Sequence, residues 1–395
     1  MSTRVFTCTP VAFGGGPDFF ARDSGLMCRG LREIGCESRA VMPGARQDDD
    51  EPDLIRTEFA NLESAAWWNA HQLDAVILYA WGSPRFRKVA AAIRQAGIFL
   101  ILNQDNGGLI SPLAGFRGWL AEQRILSGSG DLAGFVKRVA RGLTTGLLVT
   151  DPMRAAHLRQ GDVIACVSPV AAGHYRKLCR AYGGDRLARR VEVLPHPVQS
   201  IFRTDAVPKS RQVACVGRWQ ERIQKRPELM QSVIGEIIRL DHEVRVEIVG
   251  TDTPELEMWR RSLDAAHRER VHLRGRVGRN ELARILRESQ IFYSPSAFES
   301  FGIAAGEALC SGCSVVAGRS PSMASFEWFT SDGSGQLAET DDAAQHLTAL
   351  QNELSKWESG LRNPELISKT WTSRLHADKV AERALELRAN RLKTP

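Results

Sequence analysis

Two glutamates eight positions apart, Glu299 and Glu307, stand in the segment SPSAFESFGIAAGEALCSGCSVVAG, Ser294–Gly318. An apolar strand pattern precedes Glu299, and an apolar helical pattern contains Glu307. Between them, Phe301, Gly302 and Ile303 fall where that helix begins. The first turn of a helix offers unpaired N–H groups and partial positive charge, which suits a phosphate. A glycine there lets the backbone approach a ligand closely. Glu307 is then placed to hold a pair of ribose hydroxyls, and Glu299, in the loop, to face a sugar. A second segment, VGRWQERIQKRPEL (Val216–Leu229), puts Arg218 just after a strand and Lys225 seven residues on, near a helix start. Two cations converging on a diphosphate neutralise a leaving group, arginine as a fork and lysine as a point charge. A third segment, FGGGPDFFARDSGL (Phe13–Leu26), places Gly15 and Gly16 in a turn that opens a helix. That turn fits phosphate or sugar approach, and equally a plain tight turn. Each segment also has a plainer reading as solvated loop charge; what favours chemistry is their shared position at strand ends.

The elements that must position these residues alternate. In the second half, strands are expected at Gln212–Gly217, Glu243–Gly250, Arg270–Gly275, Gln290–Pro295 and Ser314–Gly318, with helices near Arg226–Leu240, Pro254–His267, Asn280–Glu288 and from Gly302. The first half repeats the theme. Its strands are expected at Arg4–Cys8, Ser38–Met42, Ala75–Trp81, Ile98–Leu102, Asp162–Ser168 and Val191–Pro195. Its helices are expected at Asp18–Ile34, Leu62–Gln72, Arg85–Gln95 and Pro169–Ala181. Such alternation predicts an α/β fold of two doubly wound parallel sheets, with ligands at the C-terminal ends of the strands, in a cleft between the domains. The boundary is expected near Val198–Lys209, after PHPV and before the polar VPKSR.

Composition sets limits. The chain of 395 residues suits two domains. Its longest apolar runs are strand-sized, far short of the roughly 20 residues of a spanning helix. No basic-then-apolar leader opens the chain, and several of the eight cysteines lie within apolar runs, so a reducing compartment and a cytoplasmic setting are expected. Cys310 and Cys313 have metal or redox spacing but no second pair beside them. The run Asp48–Glu51 is read as solvated charge rather than a metal-binding cluster. The net charge of +6 is uneven: residues 101–200 hold 13 Lys/Arg against 7 Asp/Glu, 13 − 7 = +6. There, Phe116–Leu126 and Phe135–Val149 interleave basic and apolar residues. This predicts core-packed helices with a solvated basic face, the alternative being peripheral contact with an anionic membrane on its inner face. Nucleic-acid binding is not expected, because the basic residues form no recognisable motif.

These segments together resemble the retaining glycosyltransferases of the GT-B fold, specifically family four, the glycosyl transferases group 1. The E-x7-E motif is met by Glu299 and Glu307, with FGI and EAL-x-x-G-x-x-V following. The G-R…K element is met by Gly217, Arg218 and Lys225, and VLPHPV is similar to the family's interdomain I-P-N-G-V, with His196 where asparagine is common. RVHLRGRV is similar to the strand and turn that contact the base through the backbone near Arg276 and Val277. The likeness covers about Val191–Glu353 well, and the first domain only through the glycine loop and strand order.

The resemblance implies an acceptor domain at 1–200, a nucleotide-sugar domain at 201–364 and a C-terminal helix at 365–395 crossing back. It implies that Arg218 and Lys225 bind the diphosphate, Glu307 the ribose, and Glu299 the donor sugar, with no metal and no cofactor. The donor would be a UDP- or GDP-sugar. The acceptor hydroxyl would belong to a glycan, a lipid-linked group or a small molecule, in glycan or glycoconjugate biosynthesis. Three departures stand out, one being an Arg218-to-Lys225 spacing longer than is common in the family. The family's histidine near the sugar is missing from Leu78–Pro84 and Asn103–Gly108, where Asp105 and Asn106 are the polar candidates; nearby His71 reads as structural. Ser314 replaces the usual proline. An epimerase or hydrolase acting on the nucleotide sugar alone, or an inactive binding subunit, would carry the same motifs.

Overall fold

Each half of the chain builds its own parallel sheet. The structure, a computed structural model, describes residues 3–393 apart from 129, 206 and 252. In the first half, β1 (Val5–Cys8), β2 (Ala40–Pro43), β3 (Leu54–Thr57), β4 (Ala75–Tyr79), β5 (Phe99–Gln104), β6 (Val163–Cys166) and β7 (Val191–Val193) lie in the order β3-β2-β1-β4-β5-β6-β7. In the second, β8 (Ser210–Gly217), β9 (Arg245–Gly250), β10 (Val271–Gly275), β11 (Ser289–Ser294), β12 (Ser314–Gly318) and β13 (Gly335–Ala338) lie in the order β10-β9-β8-β11-β12-β13. These strand pairs are parallel. Strands β4, β5 and β12 are buried at every residue. Successive side chains point to opposite faces, so both faces of these strands are covered, which is why they read as continuous apolar runs.

The strand order reverses between β1 and β4 in one sheet and between β8 and β11 in the other. Ligands of doubly wound folds bind outside the carboxyl ends of strands at such points. The chain divides into two compact units, Met1–Gln199 with Arg374–Pro395, and Ser200–Ser373. The tail expected as one helix at 365–395 is two, Pro364–Leu375 and Ala377–Lys393. They break at His376 because Val198 inserts a short parallel bridge there: its N–H donates to Leu375 O (2.7 Å) and its carbonyl accepts from Ala377 N (3.1 Å). The last helix lies on the helix Asp23–Glu33 with Gly30 at the contact, where a Cβ would come within 2.3 Å of Ala377 O.

Other expectations shift. Strands β3 and β13 are additional; LIRT and GQLA are short and carry polar or glycine residues, so neither shows an apolar run. The stretch Leu62–Gln72 splits at Ser64, whose Oγ accepts from Trp67 N at 3.4 Å and caps Ala65–Ala70. Residues 17–21 are turns folded on Gly16 O rather than helix, so helix begins only at Asp23. The basic quarter does not pack into the core. Helix Phe116–Ser127 buries Trp119 alone, and neither helix Leu132–Arg141 nor the π-helical stretch Gly142–Thr150 buries any residue. Of the apolar stripe on Leu132–Arg141, Leu132 and Val136 face outward, while Phe135 and Val139 are half-buried.

Candidate active site

In the second unit the loops after β8 and β11 interlock at the reversal point. Ala297 N donates to Gln224 O (2.8 Å), and Gln224 Nε2 donates to Phe298 O (3.2 Å). This brings Lys225 onto Glu299 as an ion pair, with only 14% and 12% of the two side chains exposed. Ser296 Oγ donates to the same carboxylate at 3.0 Å. The Glu299 backbone is itself fixed, its N–H donating to Ser322 O at 2.9 Å. Sequence reasoning missed Arg226. In the left-handed region at φ +44°, it sends Nε to Pro295 O (2.6 Å) and its fork to Asp341 (2.8 Å), which ties the two loops together.

Arg218 projects from the same loop. Trp219 beneath it is buried and donates to Val249 O at 3.1 Å, while the Arg218 side chain is 64% exposed and meets Glu221 at 3.0 Å. Gly302 precedes the helix Ile303–Cys310 with φ +78°, and a Cβ there would come within 2.8 Å of the Phe326 ring. Glycine is therefore required twice over, by backbone and by space. Phe301 is buried against Phe329 (centroids 5.2 Å apart), which leaves the Gly302–Ile303 backbone to form the helix mouth.

Glu307 lies one turn into that helix, 2% exposed, and pairs with Arg279, whose guanidinium sits 4.7 Å over the Phe202 ring. Arg279 follows the turn that holds exposed Arg276 and half-buried Val277, between β10 and the helix Arg279–Glu288. No spacing in the sequence signals this pair. Ser314, in place of proline, accepts from Trp357 Nε1 at 2.8 Å. Cys310 and Cys313 are buried and free, and Cys313 Sγ lies 2.9 Å from Leu286 O.

The first unit gathers a different set at its strand ends. His196, after β7, is buried; its Nε2 lies 2.8 Å from Asp105 Oδ1 and its Nδ1 3.4 Å from Asp23 Oδ1. Burial alone would lower the imidazole pKa, but the charge and hydrogen bond of Asp105, with Asp23, raise it to about 9. The ring is thus a cation at neutral pH, clasped by two carboxylates. Asp23 is held at φ +49°, an unusual conformation for a residue with a side chain. These three are the one group of His, Cys, Asp and Glu among the described residues close enough to share a metal ion. A protonated imidazole has no lone pair to give, so they do not fit one without loss of that proton.

Asn106 is engaged in bracing its own loop. Its Nδ2 donates to Trp81 O (3.2 Å) and Tyr175 Oη (2.8 Å), and its Oδ1 accepts from Gly108 N (2.9 Å). Gly15 and Gly16 are buried against the Asp48–Glu51 loop: a Cβ on Gly15 would meet Asp50 Oδ1 at 2.1 Å, and one on Gly16 would meet Asp49 O at 3.2 Å. That loop is not simply solvated charge. The Asp50 side chain is shut away with Arg56 (2.7 Å), which holds its carboxyl below the usual range, and Arg56 also donates to Phe13 O at 2.8 Å. His71 packs edge-on against Trp67 at 4.4 Å, with burial lowering its pKa.

Residues 210–355 match the family described as glycosyl transferases group 1, a span that includes Arg218, Lys225, Arg276, Val277, Glu299 and Glu307. Among solved structures, the lipopolysaccharide outer core galactosyltransferase WaaB in its apo form is similar over 98% of this chain and 99% of its own (13% identity, TM-score 0.64). Anabaena Alr3699/HepE in complex with UDP-glucose is similar over 98% and 99% (13%, 0.60). A putative UDP-N-acetylglucosamine 2-epimerase from Listeria monocytogenes is similar over 100% and 98% (14%, 0.59). Among curated sequences nothing matches. The chain therefore has the GT-B fold. The matched span, 210–355, lies within its second unit.

Proposed function

We propose that this chain is a retaining glycosyltransferase that moves a sugar from a UDP- or GDP-sugar to the hydroxyl of a glycan, lipid-linked or small-molecule acceptor, in glycan or glycoconjugate biosynthesis. The observation that carries this reading is the enclosed Lys225–Glu299 pair beside the helix mouth at Gly302, at the reversal point of a group 1 domain. A diphosphate arriving there meets Arg218, Lys225 and the free N–H groups of that helix. Lys225 transfers its charge pairing from Glu299 to the phosphate, which frees the carboxylate for the donor sugar. Glu307 accepts from the ribose hydroxyls while keeping Arg279, because a carboxylate offers about four acceptor sites. Backbone groups near Arg276 and Val277 meet the base. Gly15 and Gly16, in the first unit, are assigned to the donor by the family pattern, and Asp105 and Asn106 to the acceptor side.

The bond from the sugar C1 to the phosphate oxygen breaks, and negative charge grows on the diphosphate. Arg218, Lys225 and the helix amides meet that charge as it grows, and donors placed where charge develops stabilise a transition state more than the ground state. The acceptor oxygen bonds to C1 from the same face and gives its proton to the departing phosphate. With two cations and a helix mouth supplying the positive field, no metal and no cofactor is required. The setting is proposed to be cytoplasmic, in keeping with eight free buried cysteines; no helix among the described residues is long and apolar enough to cross a membrane.

The fold shared with a putative UDP-N-acetylglucosamine 2-epimerase supports a second reading, conversion of the nucleotide sugar alone. Incubation with labelled UDP- and GDP-sugars, with and without candidate acceptors, separates the two. Transfer requires acceptor-dependent product with the anomeric configuration kept. Donor conversion at the same rate without acceptor would assign the epimerase or hydrolase instead.

A further inference from the structure

We propose that the surface made by helix Phe116–Ser127, helix Leu132–Arg141 and the π-helical stretch Gly142–Thr150 docks on an anionic phospholipid bilayer. This inference stands apart from the reading of the donor site and needs no turnover to test it.

The first observation is the density of exposed apolar side chains. Among the described residues, 8 of the 17 large exposed hydrophobics lie between Leu113 and Met153. They include Phe116 (51% exposed), Leu132 (64%), Val136 (56%) and Leu148 (77%). Scattered exposed leucines are ordinary, whereas a contiguous cluster marks an interaction surface.

The second observation is how charge is arranged beside it. At 100° per residue, exposed Leu132 and Val136 share one arc of the helix Leu132–Arg141 with half-buried Phe135 and Val139, and Lys137, Arg138 and Arg141 share the other. Residues 116–150 hold five cations (Arg117, Arg124, Lys137, Arg138, Arg141) against two acids (Glu122, Asp131), 5 − 2 = +3. Burial pushes the Glu122 carboxyl up to about 7, which weakens even that opposition near neutrality. All five cations are exposed. A helix with an apolar face and a flank of Lys and Arg is the form that lies in the plane of a lipid interface, apolar residues among the acyl chains and cations at the headgroups.

The third observation is that the platform is held in place while its outer face is left bare. Trp119 is buried against Gly142, where a Cβ would come within 2.3 Å of the indole, so glycine alone lets the helices close up. Tyr182 Oη donates to Leu147 O at 2.9 Å and anchors the π-helical stretch from the inner side. A second copy of this chain is the poorer occupant, because pairing the surface with itself would bring two +3 flanks together. A bilayer of anionic lipid supplies both the apolar medium and the opposite charge.

The test is co-sedimentation of the full chain with phosphatidylcholine vesicles, with and without phosphatidylglycerol, at low and high salt. Wild type should bind only the anionic vesicles and should release as salt screens the charges. Changing Lys137, Arg138 and Arg141 together to serine should weaken partitioning about 100-fold, at about fivefold per cation. The pair Leu148→Ser and Val149→Ser should weaken it about tenfold or more while leaving the thermal unfolding midpoint unchanged, since neither side chain is buried. Absence of binding to anionic vesicles at low salt would overturn the proposal. So would equal binding by the charge variant, or a stable dimer in sedimentation velocity that Leu148→Ser dissociates.

Discussion

The two units carry charged clusters of opposite design. In the second, Lys225 and Glu299 are single charges meeting across two loops that are each a continuous stretch of sequence, and Arg218 beside them stays open to solvent. In the first, a buried imidazolium is balanced by Asp23 and Asp105, three residues far apart in the chain. The former is the pair proposed to exchange a partner for an arriving diphosphate. The latter is already neutralised on both sides and works as a clamp on the loops that follow β5 and β7. The difference separates a site arranged to receive charge from one arranged to hold a shape.

The largest effect that would break this distinction is kinetic. Arg218→Ala and Lys225→Ala should each lower kcat roughly 100- to 1000-fold, about 2.7–4 kcal/mol of lost transition-state stabilisation. Steady-state kinetics showing an unchanged kcat in either variant would remove that residue from the diphosphate site.

That asymmetry explains what the sequence could disclose. The alternation of strands and helices and the second unit's motifs are legible because a parallel sheet demands apolar runs, and helix mouths demand glycine next to polar residues; the short strands β3 and β13 carry no such run. Asp23 was hidden because its role depends on the helix starting at residue 23 rather than 18, a shift imposed by turns on Gly16 O. Arg279 and Arg226 were hidden because their partners, Glu307 and Asp341, are 28 and 115 residues away. The bareness of Leu132–Arg141 was hidden because an apolar stripe has the same periodicity whether protein or lipid covers it.

Next in size is a pH effect on the clamp. His196 has a folded pKa of about 9 against an ordinary 6.5. A raised folded pKa contributes stability that is full below about 6.5 and lost as pH climbs to about 9. Denaturant unfolding should show a loss of roughly 3 kcal/mol over that window, and His196→Gln should flatten it. An identical alkaline slope in the variant would show that another group titrates.

Smaller again is the ribose contact. Glu307→Gln should weaken nucleotide binding by about 1.5–3 kcal/mol and lower kcat less, because such contacts change little during reaction. Calorimetry giving equal affinity for both proteins would contradict the assignment. The smallest expected effect is none: excess EDTA should leave turnover intact, the cationic His196 having no lone pair for a metal ion. Complete loss restored by magnesium or manganese would move the chemistry to Asp23, Asp105 and His196.

A diphosphate site at Arg218, Lys225 and Gly302 is checked by titrating UDP, GDP and their nucleosides into wild type and Lys225→Ala by calorimetry. Wild type should bind one nucleoside diphosphate at least tenfold tighter than its nucleoside, roughly 1.4 kcal/mol or more from the phosphates. Lys225→Ala should erase most of that margin and leave nucleoside affinity unchanged. Equal affinity of the two proteins for the diphosphate would contradict it.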